Sequence, residues 1–307
     1  LTDAFFAGSG YQYAGREKHQ HPMARPVPNQ FCGRWRLGQR AIALIVVAIC
    51  SAGCSINLGS LTGSGEKDDA AQGASGSIAS LTETIRANPN DAQAYNARGL
   101  LLAQGGKSEE ALADLNKAIG LDPNYGHAYA NRAMVYRHTK KLDQALADYN
   151  RAIALDATYA PAFLGRGMIY KARNQQSEAV EDLTKAIGLR PDNAEAYYNR
   201  GLLYQGNKQH ELAITDFTSA NGLAPQQADP LFGRAVSYLA LDKPKEAASD
   251  LDEAAQASPM NGQIWVTRGL AYEKLGDKAK AAASYNRAID IRPKDEAARS
   301  GIARVGG

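Results

Sequence analysis

The chain has 307 residues, of which 44% are apolar and 22% charged, with a formal charge of +3, a balance that suits either one long array or two average globular domains. Residues 1–76 hold seven Lys/Arg and five Asp/Glu, leaving 28 basic and 27 acidic residues in a nearly neutral remainder, and without a basic stripe to neutralise phosphates a nucleic-acid partner is excluded. The three cysteines, Cys32, Cys50 and Cys54, all precede residue 55, which excludes a disulfide framework or a zinc site in the body.

In chain order the first apolar run is Ala41 to Ile49. It is about half the length a helix needs to cross a bilayer, so a span is not expected. Arg25, Arg34, Arg36 and Arg40 precede it and the small residues Ser51, Ala52 and Gly53 follow, the order of a secretory signal. Met23 is a sensible start, so residues 23–53 read as the signal and 1–22 as an over-extended N-terminus; Leu1 as an alternative initiation codon is the other reading. The ending Ala52-Gly53-Cys54 resembles the lipobox of bacterial lipoproteins, with Ser51 where that family prefers Leu. The resemblance implies acylation of Cys54 and a membrane anchor through the lipid. Ser55 after the cysteine, by similarity to enterobacterial sorting, implies the periplasmic face of the outer membrane. Ordinary cleavage leaving a soluble periplasmic protein is the alternative. Residues 54–76, rich in Gly, Ser and Ala, predict a flexible tether with a reach of roughly 25 Å.

The remainder repeats itself. AYNARGLLLAQGG, AYANRAMVYRHTK, AFLGRGMIYKARN, AYYNRGLLYQGNK, PLFGRAVSYLALD and IWVTRGLAYEKLG recur at a step of 34 residues, giving six repeats over 92–295 without an insertion. Each has a large residue at place four (Tyr95, Tyr129, Phe163, Tyr197, Leu231, Trp265) and a small one at place eight. Alanine stands at places twenty and twenty-seven of every repeat, and Pro follows the second helix in all but one. These positions resemble the signature of the tetratricopeptide repeat family. The resemblance implies an all-α fold, a right-handed α-solenoid of antiparallel helix hairpins whose concave groove binds other proteins. Flanking the six repeats, residues 77–91 match a second helix alone, and 296–307 predict a capping helix and tail.

Two further patterns run at the same step. Arg98, Arg132, Arg166, Arg200, Arg234 and Arg268 occupy place seven; Asp114, Asp148, Asp182, Asp216 and Asp250 occupy place twenty-three. In a hairpin turning near place fifteen these places face one another, so they predict a structural Arg–Asp ladder, with Ser284 leaving Arg268 unpaired. A row of arginines that binds ligand carboxylates is the rival reading. By the resemblance, places two, five, six, nine, twelve and thirteen of the first helix face the groove. At place nine stand Leu100, Met134, Met168, Leu202, Val236 and Leu270, and beside them at place five Leu164, Tyr198 and Phe232. This row suits an extended or helical peptide; the alternative is that place nine only stacks neighbouring helices. The carboxylate clamp of chaperone-binding relatives is not reproduced, because Asn96/Leu100, Leu164/Met168 and Pro161/Gly165 lack its residues, although Asn131 and Asn199 match its middle element.

No phosphate-cradling loop and no His-Glu-x-x-His spacing occurs, and His127, His138 and His210 are scattered over different helices. The reading is therefore a non-enzyme without metal or cofactor. Its partners are other envelope proteins or peptide segments, with a homo-oligomer left open. In architecture it is similar to enterobacterial tetratricopeptide lipoproteins that act as adaptors for peptidoglycan hydrolases. A secretion, polysaccharide or pilus assembly component, or a cytoplasmic adaptor, is the alternative.

Overall fold

The computed structural model describes residues 77–306; the expected signal, the Cys54 lipidation site and the tether lie outside the described residues. The described residues contain helices and no strands, beginning with α1 over 77–87. Six hairpins follow: α2 (Ala92–Gln104) with α3 (Ser108–Leu121), α4 (Gly126–His138) with α5 (Leu142–Leu155), and α6 (Ala160–Ala172) with α7 (Gln176–Leu189). Then come α8 (Ala194–Gly206) with α9 (His210–Leu223), α10 (Ala228–Ala240) with α11 (Pro244–Ala257), and α12 (Gly262–Lys274) with α13 (Lys278–Ile291), before the terminal α14 (Glu296–Val305). The architecture is an all-α solenoid.

Each hairpin turns through a left-handed residue at place fifteen: Gly106 (φ 78°), Lys140 (φ 60°), Asn174 (φ 58°), Lys208 (φ 60°), Asp242 (φ 54°) and Gly276 (φ 77°). Glycine adopts this conformation freely, whereas a Cβ there costs about 1–2 kcal/mol, less for Asn or Asp. Four of the first helices open on a side-chain cap: Asp91, Asn193, Asn261 and Asp295 each accept a backbone N–H from the first turn. Tyr125 and Tyr159 hold the same place before α4 and α6 and provide no such bond.

Within a hairpin the alanines Ala111, Ala145, Ala179, Ala213, Ala247 and Ala281 are fully buried, which lets the two backbones approach closely. Between hairpins the packing alternates over two repeats. Place twenty-four holds Leu115, Tyr149, Leu183, Phe217, Leu251 and Tyr285, all buried, while place six of the following repeat holds Asn131, Gly165, Asn199, Gly233, Thr267 and Gly301. The aromatic ring always meets glycine. Tyr149 lies against Gly165 and Tyr285 against Gly301 so closely that a Cβ would overlap the ring, and Phe217 comes within 2.7 Å of a Cβ at Gly233. Adding that carbon would overpack the junction.

Consecutive first helices touch all along the array, from α2 against α4 to α12 against α14, whereas from α3 to α13 consecutive second helices do not meet. The first helices therefore form the inner, concave layer. The ends fit the same scheme: Arg98 Nη1 donates to Thr82 of α1 at 3.1 Å, so α1 stands where a preceding second helix would, and α14 stands as the first helix of a seventh repeat.

Candidate protein-binding groove

Behind the groove runs the charge ladder. Arg98, Arg132, Arg166, Arg200 and Arg234 each donate two hydrogen bonds, at 2.7–2.8 Å, to the carboxylates of Asp114, Asp148, Asp182, Asp216 and Asp250. The remaining Nη1 donates to Thr82, Asn116, Asn150, Thr184 and Thr218 on the preceding second helix. Four of these guanidinium groups also stack on rings at place four, Tyr95, Tyr129, Phe163 and Tyr197. The aspartate bonds raise each arginine's pKa further above its ordinary value. With every guanidinium nitrogen already donating, these arginines tie helices together and offer no free fork to a ligand.

The last repeat departs from the expectation that Arg268 is unpaired. Arg268 Nε donates to Asp252 at 2.6 Å and Nη1 to Ser284 at 2.6 Å, while the Tyr272 hydroxyl donates to the other Asp252 oxygen at 2.7 Å. The carboxylate has moved to place twenty-five of the preceding repeat, where the other repeats carry Asn or Thr. Place twenty-five accepts from Nη1 in the other five repeats, so it lies within the arginine's reach; here Nε takes the carboxylate and Nη1 turns to Ser284.

The residues expected to line the groove, Leu100, Met134, Leu164, Met168, Tyr198, Leu202, Phe232 and Val236, are all half-buried. Met134, Leu164 and Met168 come together in a pocket of about 150 Å³ between α4 and α6, with Arg137, Tyr149, Tyr159 and Glu195. Leu100, Tyr198, Leu202, Phe232 and Val236 do not line it. The Tyr198 ring lies 5.9 Å from that of Phe217, and Phe232 packs on the core around Leu231 and Leu251. Leu270 is exposed at the far end of the place-nine row.

Three groups of the pocket have no counterpart among the residues picked from the sequence. Tyr149 belongs to a second helix, but the missing Cβ of Gly165 lets its ring reach through to the groove. Burial pushes its phenol pKa up and Arg137 draws it down. Arg137 stands at place twelve of α4, and Glu195 at place two of α8. At the rim the His127 ring stacks on Tyr159 at 4.2 Å and lies 5.7 Å from Tyr125, which explains aromatic residues where helix caps would stand. Farther along the same row, Lys171 donates to Asn199 at 2.8 Å, and burial lowers its pKa. Gln205 donates to the Gly233 carbonyl and to Ser237.

Among the described residues no cluster of three His, Cys, Asp or Glu could hold a metal ion, and no helix is long and apolar enough to cross a membrane.

Family models match nearly all of the repeat region. Models described as tetratricopeptide repeats match residues 68–126 and 232–296, 127–159 and 194–227, and one described as a TPR repeat matches 167–208. No curated protein sequence matches the chain significantly. Among solved structures, Pseudomonas aeruginosa pilF is 23% identical with a TM-score of 0.63, covering 69% of this chain and 97% of its own. YrrB, described as a TPR protein with an unusual peptide-binding site, is 24% identical with a TM-score of 0.56, covering 62% and 97%. PilW, described as a widely conserved type IV pilus biogenesis factor, is 17% identical with a TM-score of 0.60, covering 68% and 97%.

Proposed function

Since the chain belongs to the tetratricopeptide repeat family, we propose that it is a non-catalytic scaffold that receives extended segments of other proteins in its concave groove. The observation that carries this is the pocket between α4 and α6, where Met134, Leu164 and Met168 from two successive first helices face a common space beside one basic and one acidic residue. An extended peptide can drop a side chain there while its backbone continues along the place-nine row. The chemistry calls for no cofactor.

The proposal places the scaffold in the bacterial envelope, anchored through Cys54 at the periplasmic face of the outer membrane. Its support is the order of basic, apolar and small residues that ends at Ala52-Gly53-Cys54. There its partners are envelope proteins, cell-wall enzymes among them. The fold likeness to pilF and PilW favours a second reading, in which the scaffold serves pilus assembly.

Two experiments address the two halves separately. Metabolic palmitate labelling should mark the wild-type chain and not Cys54→Ala; equal labelling, or none in either, contradicts the anchor. Capture from crosslinked envelopes should fail for the double variant Met134→Glu, Met168→Glu, with the helical circular dichroism unchanged. Undiminished capture would place the binding surface outside the groove.

A further inference from the structure

The pocket between the second and third repeats contains a cation, Arg137, that faces a neutral phenol and has no carboxylate paired with it among the described residues. Arg137 Nε is buried and has no hydrogen-bond partner among the described residues. Neither Arg137 nor Glu195 across the pocket forms an ion pair within 4.0 Å among them; the polar group that Arg137 meets is the Tyr149 hydroxyl.

The far end of the array shows the same three places with the charge answered. There place twelve is Glu273, place twenty-four is Tyr285 and place six of the next helix is Gly301. The glycine again lets the tyrosine ring pass beneath the helix. Arg304 of α14 donates to both Glu273 oxygens, at 2.6 and 2.9 Å, and the Tyr285 hydroxyl donates to one of them at 2.6 Å. Arg304 occupies place nine of α14, the place held by Met168 in the third repeat. At the cap, then, a place-nine side chain of the next helix answers the place-twelve charge, and the tyrosine adds a hydrogen bond. Between the fourth and fifth repeats the equivalent group is neutral and already satisfied, since Gln205 donates to Gly233 and Ser237. At Arg137 the place-nine residue of the next helix is Met168, which carries no charge, and Glu195 across the pocket stays beyond ion-pair distance.

We propose that this pocket receives a carboxylate side chain of an extended peptide, held by the Arg137 guanidinium and the Tyr149 hydroxyl, with the neighbouring apolar side chains resting on Met134, Leu164 and Met168. The inference rests on the groove reading above and names the chemistry of its ligand. A side chain is indicated, not a chain terminus, because first helices extend the groove on both sides of the pocket. Lys171, one repeat on, adds positive potential, and Glu195 at the rim disfavours a second acid. The ligand is therefore one acidic residue flanked by apolar ones.

The test uses the full chain and fluorescein-labelled dodecapeptide pools, acetylated and amidated at their ends. The central residue is fixed as Glu, Gln or Lys and the others are drawn from Ala, Leu, Ser and Gly. A further Gln pool carries a free C-terminus. In fluorescence anisotropy at 0.15 M salt the Glu pool should bind about tenfold more tightly than the capped Gln pool, the scale of one charge-assisted bidentate contact. Arg137→Gln, folded by circular dichroism, should erase that preference. Equal binding of the Glu and Gln pools by the wild type, a preference that survives Arg137→Gln, or tighter binding of only the free C-terminus pool would each overturn the carboxylate subsite. Binding of no pool at all would overturn the groove reading beneath it.

Discussion

Two junctions of the array, Tyr149 on Gly165 and Tyr285 on Gly301, are built on the same steric device and left in opposite electrostatic states. At both, an aromatic ring from a second helix passes under a glycine of the next first helix and meets a charged residue at place twelve. At the C-terminal junction that residue is Glu273, and α14 supplies Arg304 to neutralise it. At the junction between α4 and α6 it is Arg137, whose Nε has no partner among the described residues. The difference teaches how an array of near-identical hairpins separates structure from recognition. Where a capping helix has to be held, the chain carries both members of the pair. At the pocket proposed to take a ligand, Arg137 stands without an ion-paired carboxylate.

The largest expected effect breaks the ladder that both regions share. Asp216→Ala strands Arg200 between two helices, with only 4% of the aspartate side chain exposed before the change, and should cost about 3 kcal/mol of stability in urea unfolding. Asp252→Ala in the last repeat should cost about 1 kcal/mol, because that carboxylate is 40% exposed and Ser284 still accepts from Arg268. Equal losses would contradict the view that the end of the ladder is the looser part.

The next effect concerns the cap. Arg304 holds the Glu273 carboxyl below its ordinary range, with the Tyr285 hydroxyl as a weaker contributor. A carboxylate whose folded pKa is depressed stabilises fully above its unfolded pKa, and that contribution is lost as the pH falls through the folded value. Acidification below about pH 4 should therefore loosen α14 before α8, seen as faster amide exchange over Ala298–Val305. Glu273→Gln should remove that difference in pH response; a cap that stays equally protected in acid would refute the pairing. The smallest effect lies in the turns. Lys208→Gly relieves a left-handed lysine at φ 60° and should gain about 0.5 kcal/mol net of the freedom glycine adds to the unfolded chain. The reverse change, Gly276→Lys, should lose a similar amount in thermal unfolding.

The hairpins could be read from the chain because their determinants repeat at one step. Small residues at places eight, twenty and twenty-seven must recur wherever two helices are pressed together, and Arg and Asp sixteen residues apart must meet across a turn at place fifteen. Two things escaped that reading for a common physical reason: they depend on a contact with the next repeat, and not on one inside the hairpin. Asp252 answers Arg268 from the preceding hairpin, so a search at place twenty-three alone misses it. Tyr149 counts as core by its place, yet it opens onto the groove because Gly165 belongs to the repeat after it. The signal was present as an alternation over 68 residues, an aromatic residue at place twenty-four followed by glycine at place six. The groove row was legible only as a row. Which of its members share a pocket depended on where Arg137, Tyr149 and Glu195 converge.

The central claim, that ligands enter the groove at the pocket between α4 and α6, is tested most directly through the methionines. Met134 and Met168 line that pocket, while Met260 stands outside it, 68% exposed. In the full chain labelled with carbon-13 at the methionine methyl groups, titration with the Glu-fixed peptide pool should shift the Met134 and Met168 signals and leave that of Met260 unmoved. A shift confined to Met260, or saturable binding that moves neither Met134 nor Met168, would contradict the account.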